Sequence, residues 1–237
     1  MHQHRDDRLR RPLWHDLAER FADERDSLAA FLALETAEVL DGEKPANLIN
    51  LPNRRRPCGR NFYQLWQRHG AALMGQSTLG VSELVDRGNS LLLLFYQPQT
   101  LATLLAKANV AGFLRQAGYS RPLTVELALA ELQTRFRATD FPHEIGVFLG
   151  YPLKDVAGFL GWVDLPVTCQ GPWKIYGNPD RSLALADGFR ACRRRMAHRL
   201  NGCAAAVDCL RTDGEACARG NDDLMALMVS DISFHNV

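Results

Sequence analysis

The run Ser90 to Gln97, SLLLLFYQ, constrains this chain more than any other stretch. Its apolar part, Leu91 to Tyr96, is far too short to span a bilayer, which takes about 20 residues. Its length and its bounds suit a buried strand instead. Just upstream, Leu79-Gly-Val-Ser-Glu-Leu-Val85 alternates as a strand should, and Asp86-Arg87-Gly88-Asn89 supplies turn chemistry between the two. Residues 79–86 and 90–97 therefore form the clearest hairpin in the sequence, and Pro98 ends it.

The elements around this hairpin set the fold class. Leu28, Phe31, Leu32, Leu34 and Val39 predict an amphipathic helix over Ser27 to Leu40, with Ser27 as N-cap and Asp41-Gly42 as stop. A short strand follows at 47–51, within ANLINL, and then a helix over Asn61 to Met74. Helical patterns cover 99–117 and 122–138, the latter with Pro122 in its first turn. Pro172 to Gly177 (PWKIYG) reads as a further strand, and Pro179 to Leu200 as a long basic helix. This order predicts an α+β fold with one small mixed or antiparallel sheet (47–51, 79–86, 90–97, 172–177) covered by helices. Residues 1–25 read as a charged arm, 26–200 as a single domain and 201–237 as a Cys-containing extension.

Composition narrows the function classes. With 237 residues, 46% hydrophobic and 23% charged, the chain is an ordinary globule. The 28 basic and 27 acidic residues leave a formal charge of +1, so no global field favours nucleic acid or a membrane surface. The N-terminal MHQHRDDRLRRPLWHDL lacks an apolar signal core, and a cytoplasmic location is expected. The six cysteines include no CxxC, and reduced thiols are the expectation. Cys192, His198, Cys203, Cys209 and Cys217 are separated by 5, 4, 5 and 7 residues, unlike a zinc knuckle, so no metal site is assigned.

The stretch Phe141 to Leu160, FPHEIGVFLGYPLKDVAGFL, holds the candidate catalytic pair His143 and Glu144. Pro142 suits a first helical turn, and Glu144 in that turn meets the positive end of the helix dipole. Ile145, Phe148 and Leu149 make a core-facing stripe, Gly150 ends the helix and Pro152 starts the next. His143 is the candidate acid or base. Adjacent helical residues point about 100° apart, which keeps His143 and Glu144 from converging simply on one ligand. The HExxH metalloprotease spacing is absent, since Phe148 holds the second His position. Local structure explains the stretch better than catalysis does.

Two further constellations are candidate anion sites. The loop Asn53 to Arg60 places Arg54, Arg55, Arg56 and Arg60 around Cys58 before a predicted helix, where guanidinium groups could hold an anion and favour a thiolate. A solvated basic turn is the plainer explanation. Lys174 and Tyr176 share one face of the late strand, opposite Trp173 and Ile175, and could hold a carboxylate or phosphate. A solvent-facing strand surface is the commoner reason for such a pair. Arg190, Arg193, Arg194, Arg195 and Arg199 make the last helix basic, most simply as a solvated face.

KPANLINL at 44–51, LLLLFYQP at 91–98, FPHEIGVFLGYPLKDVAGF at 141–159 and PWKIYG at 172–177, in that order, resemble a bacterial family catalogued as number 3793 among the domains of unknown function. The resemblance covers about residues 28–200. It implies a small soluble protein of the kind found mostly in anaerobic bacteria, associated with iron-uptake and flavodoxin gene neighbourhoods. It brings no established catalytic residues and no known cofactor.

The expected function is thus a ligand-binding or accessory module, with a small anionic ligand or a redox or iron-metabolism protein as partner. The first alternative is a small enzyme using His143 in a pocket near the sheet. The second is a protein-interaction adaptor using the basic helix and the tail. A convergent pocket holding both His143 and Lys174 would favour the binder or the enzyme over the adaptor.

Overall fold

The computed structural model describes residues 12–138 and 141–211. Its centre is a three-stranded antiparallel sheet of β1 (Ala46–Pro52), β2 (Gly80–Asp86) and β3 (Ser90–Tyr96), in the order β1-β3-β2. Leu94 of β3 lies between Leu48 of β1 and Ser82 of β2. The unbroken apolar run of β3 follows from this position. Leu91, Leu93 and Phe95 enter one core with Ile49 and Leu51. Leu94 enters a second core on the other face, with Ala46 and Leu84. A strand buried on both faces has no polar side to show, so its side chains do not alternate in character.

The first core is closed by α1 (Glu24–Glu35), α2 (Ala37–Leu40), α3 (Phe62–Met74) and short turns at Trp14–Asp16, Ala18–Arg20 and Ala206–Leu210. The second is closed by α4 (Pro98–Leu105), α5 (Ala108–Gln116), α6 (Val125–Ala138), α7 (Ile145–Phe148) and α8 (Leu153–Phe159). The long helix α9 (Asp180–Gly202) serves both: Leu185, Ala186 and Phe189 pack in the second core, Met196, Ala197 and Leu200 in the first. At ~1.5 Å per residue it is long enough to reach across the sheet.

The α+β class is as the sequence predicts, and of the two alternatives, mixed or antiparallel, the sheet is antiparallel. The late strand differs in detail. It forms β5 (Lys174–Tyr176), which pairs with β4 (Val167–Gln170) in a separate two-stranded sheet. The first helix also starts earlier than expected. Asp23 caps it by accepting from the Asp26 N–H at 2.9 Å, and Ser27 lies inside it, buried, its hydroxyl without a partner. Every residue from Ser27 to Leu34 is buried, so this helix is apolar almost all round rather than amphipathic. The pattern at 99–117 divides into α4 and α5 because Lys107 is extended (φ −67°, ψ 131°), a break that turns Leu104, Val110 and Phe113 onto one core. Pro122 precedes α6 through a cis peptide, and Thr124 Oγ1 accepts from Leu127 N–H at 3.3 Å there instead.

Residues 12–21, within the stretch read as a charged arm, place Trp14, Leu17, Ala18 and Phe21 in the first core. Residues 1–11 and 212–237, with Cys217, lie outside the described residues. None of the described helices is long and apolar enough to cross a membrane.

The basic face of α9 is not simply solvated. Arg193 is 1% exposed. Its guanidinium donates to the Glu35 carboxylate at 2.6 and 3.2 Å, to the Leu34 carbonyl at 3.0 Å and to the Pro12 carbonyl at 2.7 Å. Arg195 pairs with Asp41 at 2.7 Å and Arg190 with Asp187. Consecutive arginines fall on different helix faces, and here one face is the core. Arg193→Ala would leave Glu35 and two carbonyls without their donor, so it should cost about 3–5 kcal/mol. The expected reading is a lower urea midpoint at unchanged slope; an unchanged midpoint would show that Glu35 finds solvent instead.

Candidate functional site

The stretch from Phe141 to Phe159 folds as two short helices at a sharp corner. Gly150, at φ +74°, makes the left-handed turn after α7, and Pro152 leads into α8. The helices approach closely because Gly146 has no side chain. A Cβ there would lie 2.9 Å from Val156 Cγ2 and 3.3 Å from a Tyr151 ring carbon.

Behind this corner lies a buried polar knot. Asp155 is 2% exposed and Lys154 6% exposed. Asp155 Oδ1 accepts from Lys154 Nζ at 2.7 Å and from the Tyr176 N–H at 2.9 Å. Asp155 Oδ2 accepts from Trp173 Nε1 at 2.8 Å and from Ser182 Oγ at 2.6 Å. Lys154 Nζ donates further to the Tyr176 carbonyl at 2.6 Å and to Ser182 Oγ at 3.2 Å. One carboxylate thereby ties α8, the β4–β5 hairpin and the first turn of α9 together. A buried ion pair is tolerable only when such bonds replace the lost water, and here they do.

In front of the knot, a cavity of about 540 Å³ opens between β1, α7, α8 and the hairpin. Leu48, Ile145, Leu149 and Val156 make its apolar floor and sides. Trp173, stacked on Tyr151 with ring centroids 4.4 Å apart, forms the hairpin wall. Phe141, His143, Phe159 and Lys174 stand at the mouth. The His143 ring meets Phe159 edge-on at 4.9 Å, and Lys174 Nζ lies 5.6 Å from the centroid of that same ring. Asn47 also lines the cavity, with its amide held between Lys44 Nζ, at 2.7 Å, and the Glu35 carbonyl.

Of the residues singled out in the sequence, His143 and Lys174 are thus brought together. Glu144 is turned away: it is buried, and its Oε1 accepts from Arg135 at 3.2 Å and from the Tyr119 hydroxyl at 3.4 Å. Tyr119 ionisation is driven well above the usual tyrosine range, by burial first and the Glu144 charge next. Glu144 therefore serves α6 and the second core, not His143. Tyr176 is buried too, its ring seated against Gly158, so it parts from Lys174.

The arginine loop is on the other side of the sheet, against the first core. Arg60 donates to the carbonyls of Ala18 and Phe21, while Arg56 lies over the Phe31 and Phe62 rings at 4.7 and 5.3 Å. Arg54 and Arg55 are exposed. Cys58 accepts from Trp14 Nε1 at 3.4 Å. Burial pushes its thiol pKa up, but the Arg60 backbone N–H, the Trp14 indole and the Arg60 guanidinium together bring it below the ordinary value. Among the described residues no group of three or more His, Cys, Asp or Glu side chains is placed to hold a metal.

The sequence reading missed Asp155, Lys154 and Phe159. Lys154-Asp155 looks like the solvent side of a helical turn, and only the third dimension brings Trp173, Tyr176 and Ser182 to it. Residues 32–209 match a family model described as a protein of unknown function, DUF3793. Neither a curated protein nor a solved structure matches the chain.

Two outcomes check this geometry. Asp155→Ala strands the Lys154 charge and three further donors in the core and should cost about 3–5 kcal/mol in urea unfolding. A loss below about 1 kcal/mol would mean that the knot is not load-sharing. Among the buried or half-buried thiols, Cys58 should be alkylated well before Cys192 and Cys209 at pH 8. Burial pushes Cys192 far up, and burial with the adjoining Cys203 pushes Cys209 up to about 12, whereas a lowered pKa gives Cys58 more thiolate. Peptide mapping after timed iodoacetamide exposure reads the order, and simultaneous labelling would contradict it.

Proposed function

We propose that this chain, which belongs to the DUF3793 family, is a ligand-binding module that holds a small organic molecule in the cavity between β1, α7, α8 and the β4–β5 hairpin. The observation that carries this reading is the cavity itself. Its volume falls within the range of about 300–1,000 Å³ usual for small-molecule sites. Apolar walls with a few polar groups at one end are also what such sites have. The knot behind Asp155 supports the reading, because it fixes Trp173 and α8 before any ligand arrives.

Binding fits the site better than catalysis by His143. A general base needs a partner to orient it or a nucleophile to deprotonate. Glu144 points into the second core, and both Asp155 oxygens are already engaged. The adaptor reading is weakened by Arg193, whose charge is spent inside the fold. We place the binding in an accessory role, within the iron or redox setting that the family resemblance implies. An organic molecule suits the donor set better than a bare metal ion, given the apolar lining.

Ligand-observed NMR with an aromatic fragment collection tests the reading. Fragments should compete for one site on the full chain. Phe159→Ala, at a 45% exposed position outside both apolar cores, should weaken them about tenfold, equal to about 1.4 kcal/mol. Fragments that bind this variant as tightly as the parent would place binding elsewhere.

A further inference from the structure

The geometry points to an aromatic carboxylate as the ligand class of this cavity, an inference that rests on the binding reading above. The charge around the cavity carries the first half. Among the described residues its lining includes one carboxylate, Asp155, and that group accepts four hydrogen bonds with Lys154 as its counter-ion. Asp155 therefore has neither charge nor lone pairs left to offer a cation. The other ionisable groups at the mouth are His143 and Lys174, both exposed. Among the described residues neither side chain has a hydrogen bond or an ion pair; Lys174 lies against the Phe159 ring, and the His143 ring meets those of Phe141 and Phe159. The mouth thus carries a basic side chain, Lys174, that no carboxylate among the described lining residues neutralises. An anionic group on the ligand completes it.

Lys174 and His143 both lie within 6 Å of the Phe159 centroid, so both border the mouth beside that ring. The charge they can neutralise is small. Among the described residues no arginine lines the cavity to supply the forked donors that phosphate sites recruit. That favours a carboxylate over a nucleotide or another polyphosphate.

The walls carry the second half. Phe141, Tyr151, Phe159 and Trp173 present four aromatic rings around the space, and Leu48 and Val156 close it. A flat ring gains edge-to-face and offset contacts with such walls that an alkyl chain does not. The carboxylate then sits outward, at Lys174, and the ring inward, towards Trp173.

A matched set of probes tests this by isothermal titration on the full chain: 2-naphthoate, its neutral analogue 2-naphthamide, and octanoate. Naphthoate is expected to bind about tenfold or more tighter than the amide, with octanoate weaker than naphthoate. In Lys174→Met, which keeps a chain against Phe159, the acid-to-amide ratio should collapse towards one. Raising the salt should narrow the ratio in the parent protein, because the ammonium is exposed and screened. Arg54→Ala, on the distant loop, should leave the ratio as it was.

An acid-to-amide ratio near one in the parent, or one unchanged by Lys174→Met, overturns the carboxylate assignment. If Phe159→Ala still weakens both probes in that case, the cavity remains the binding site for another ligand class. Octanoate binding as tightly as naphthoate overturns the aromatic half. If none of the probes binds at millimolar concentration, the aromatic-carboxylate class falls. The fragment competition against Phe159→Ala then decides the binding reading separately.

Discussion

The Asp155 carboxylate is the point on which the second half of the molecule turns. Its four hydrogen bonds come from a side chain on its own helix, a backbone N–H and an indole on the hairpin, and a hydroxyl at the start of α9. These elements follow one another within residues 153–182, and the carboxylate sets how they fold back on each other. β4 is mostly exposed and β5 is three residues long, so the hairpin could not hold its position through its ladder alone. The buried charge supplies direction where apolar packing supplies only attraction: an apolar residue at 155 would tolerate several hairpin placements, whereas four donors converge on two oxygens in one.

That constraint reaches the cavity directly. Trp173 is both a donor to Asp155 and a wall, and Lys174 is its neighbour on the strand. The side chain at the mouth is therefore placed by a bond made behind it. On the opposite wall, Asn47 is fixed by Lys44 and by the Glu35 carbonyl, while the Glu35 carboxylate holds Arg193. The two buried arrangements thus bracket the cavity, one through the hairpin and one through β1.

Much of this framework was legible in the sequence, and the reasons differ by element. The hairpin of β2 and β3 announced itself through the Asp86–Asn89 turn and the unbroken run of β3. The corner at Gly150-Tyr151-Pro152 was equally plain, because a left-handed glycine and a proline each leave few options. The pairing of β5 was not, since three residues carry no register and β4 has no apolar pattern to read. Of the site residues, His143 and Lys174 stood out as chemical types in suggestive places. Glu144 stood out for the same reason and turns the other way, because helix position fixes direction to within a turn and the partners, Arg135 and Tyr119, come from elsewhere. Buried charges such as Asp155 and Arg193 are the hardest to foresee. On a helix they look like any solvated residue until the whole set of donors and acceptors is assembled.

The helix α9 has a consequence for how this chain can be divided. It gives Leu185 and Phe189 to one core and Met196 and Leu200 to the other, as β3 gives its alternate side chains to each. A cut anywhere between the two cores would thus leave each fragment with half a helix and a strand bare on one face. Recombination, truncation or circular permutation can succeed in the loops, but the two halves cannot be traded as modules. The described chain therefore has to be engineered as one piece.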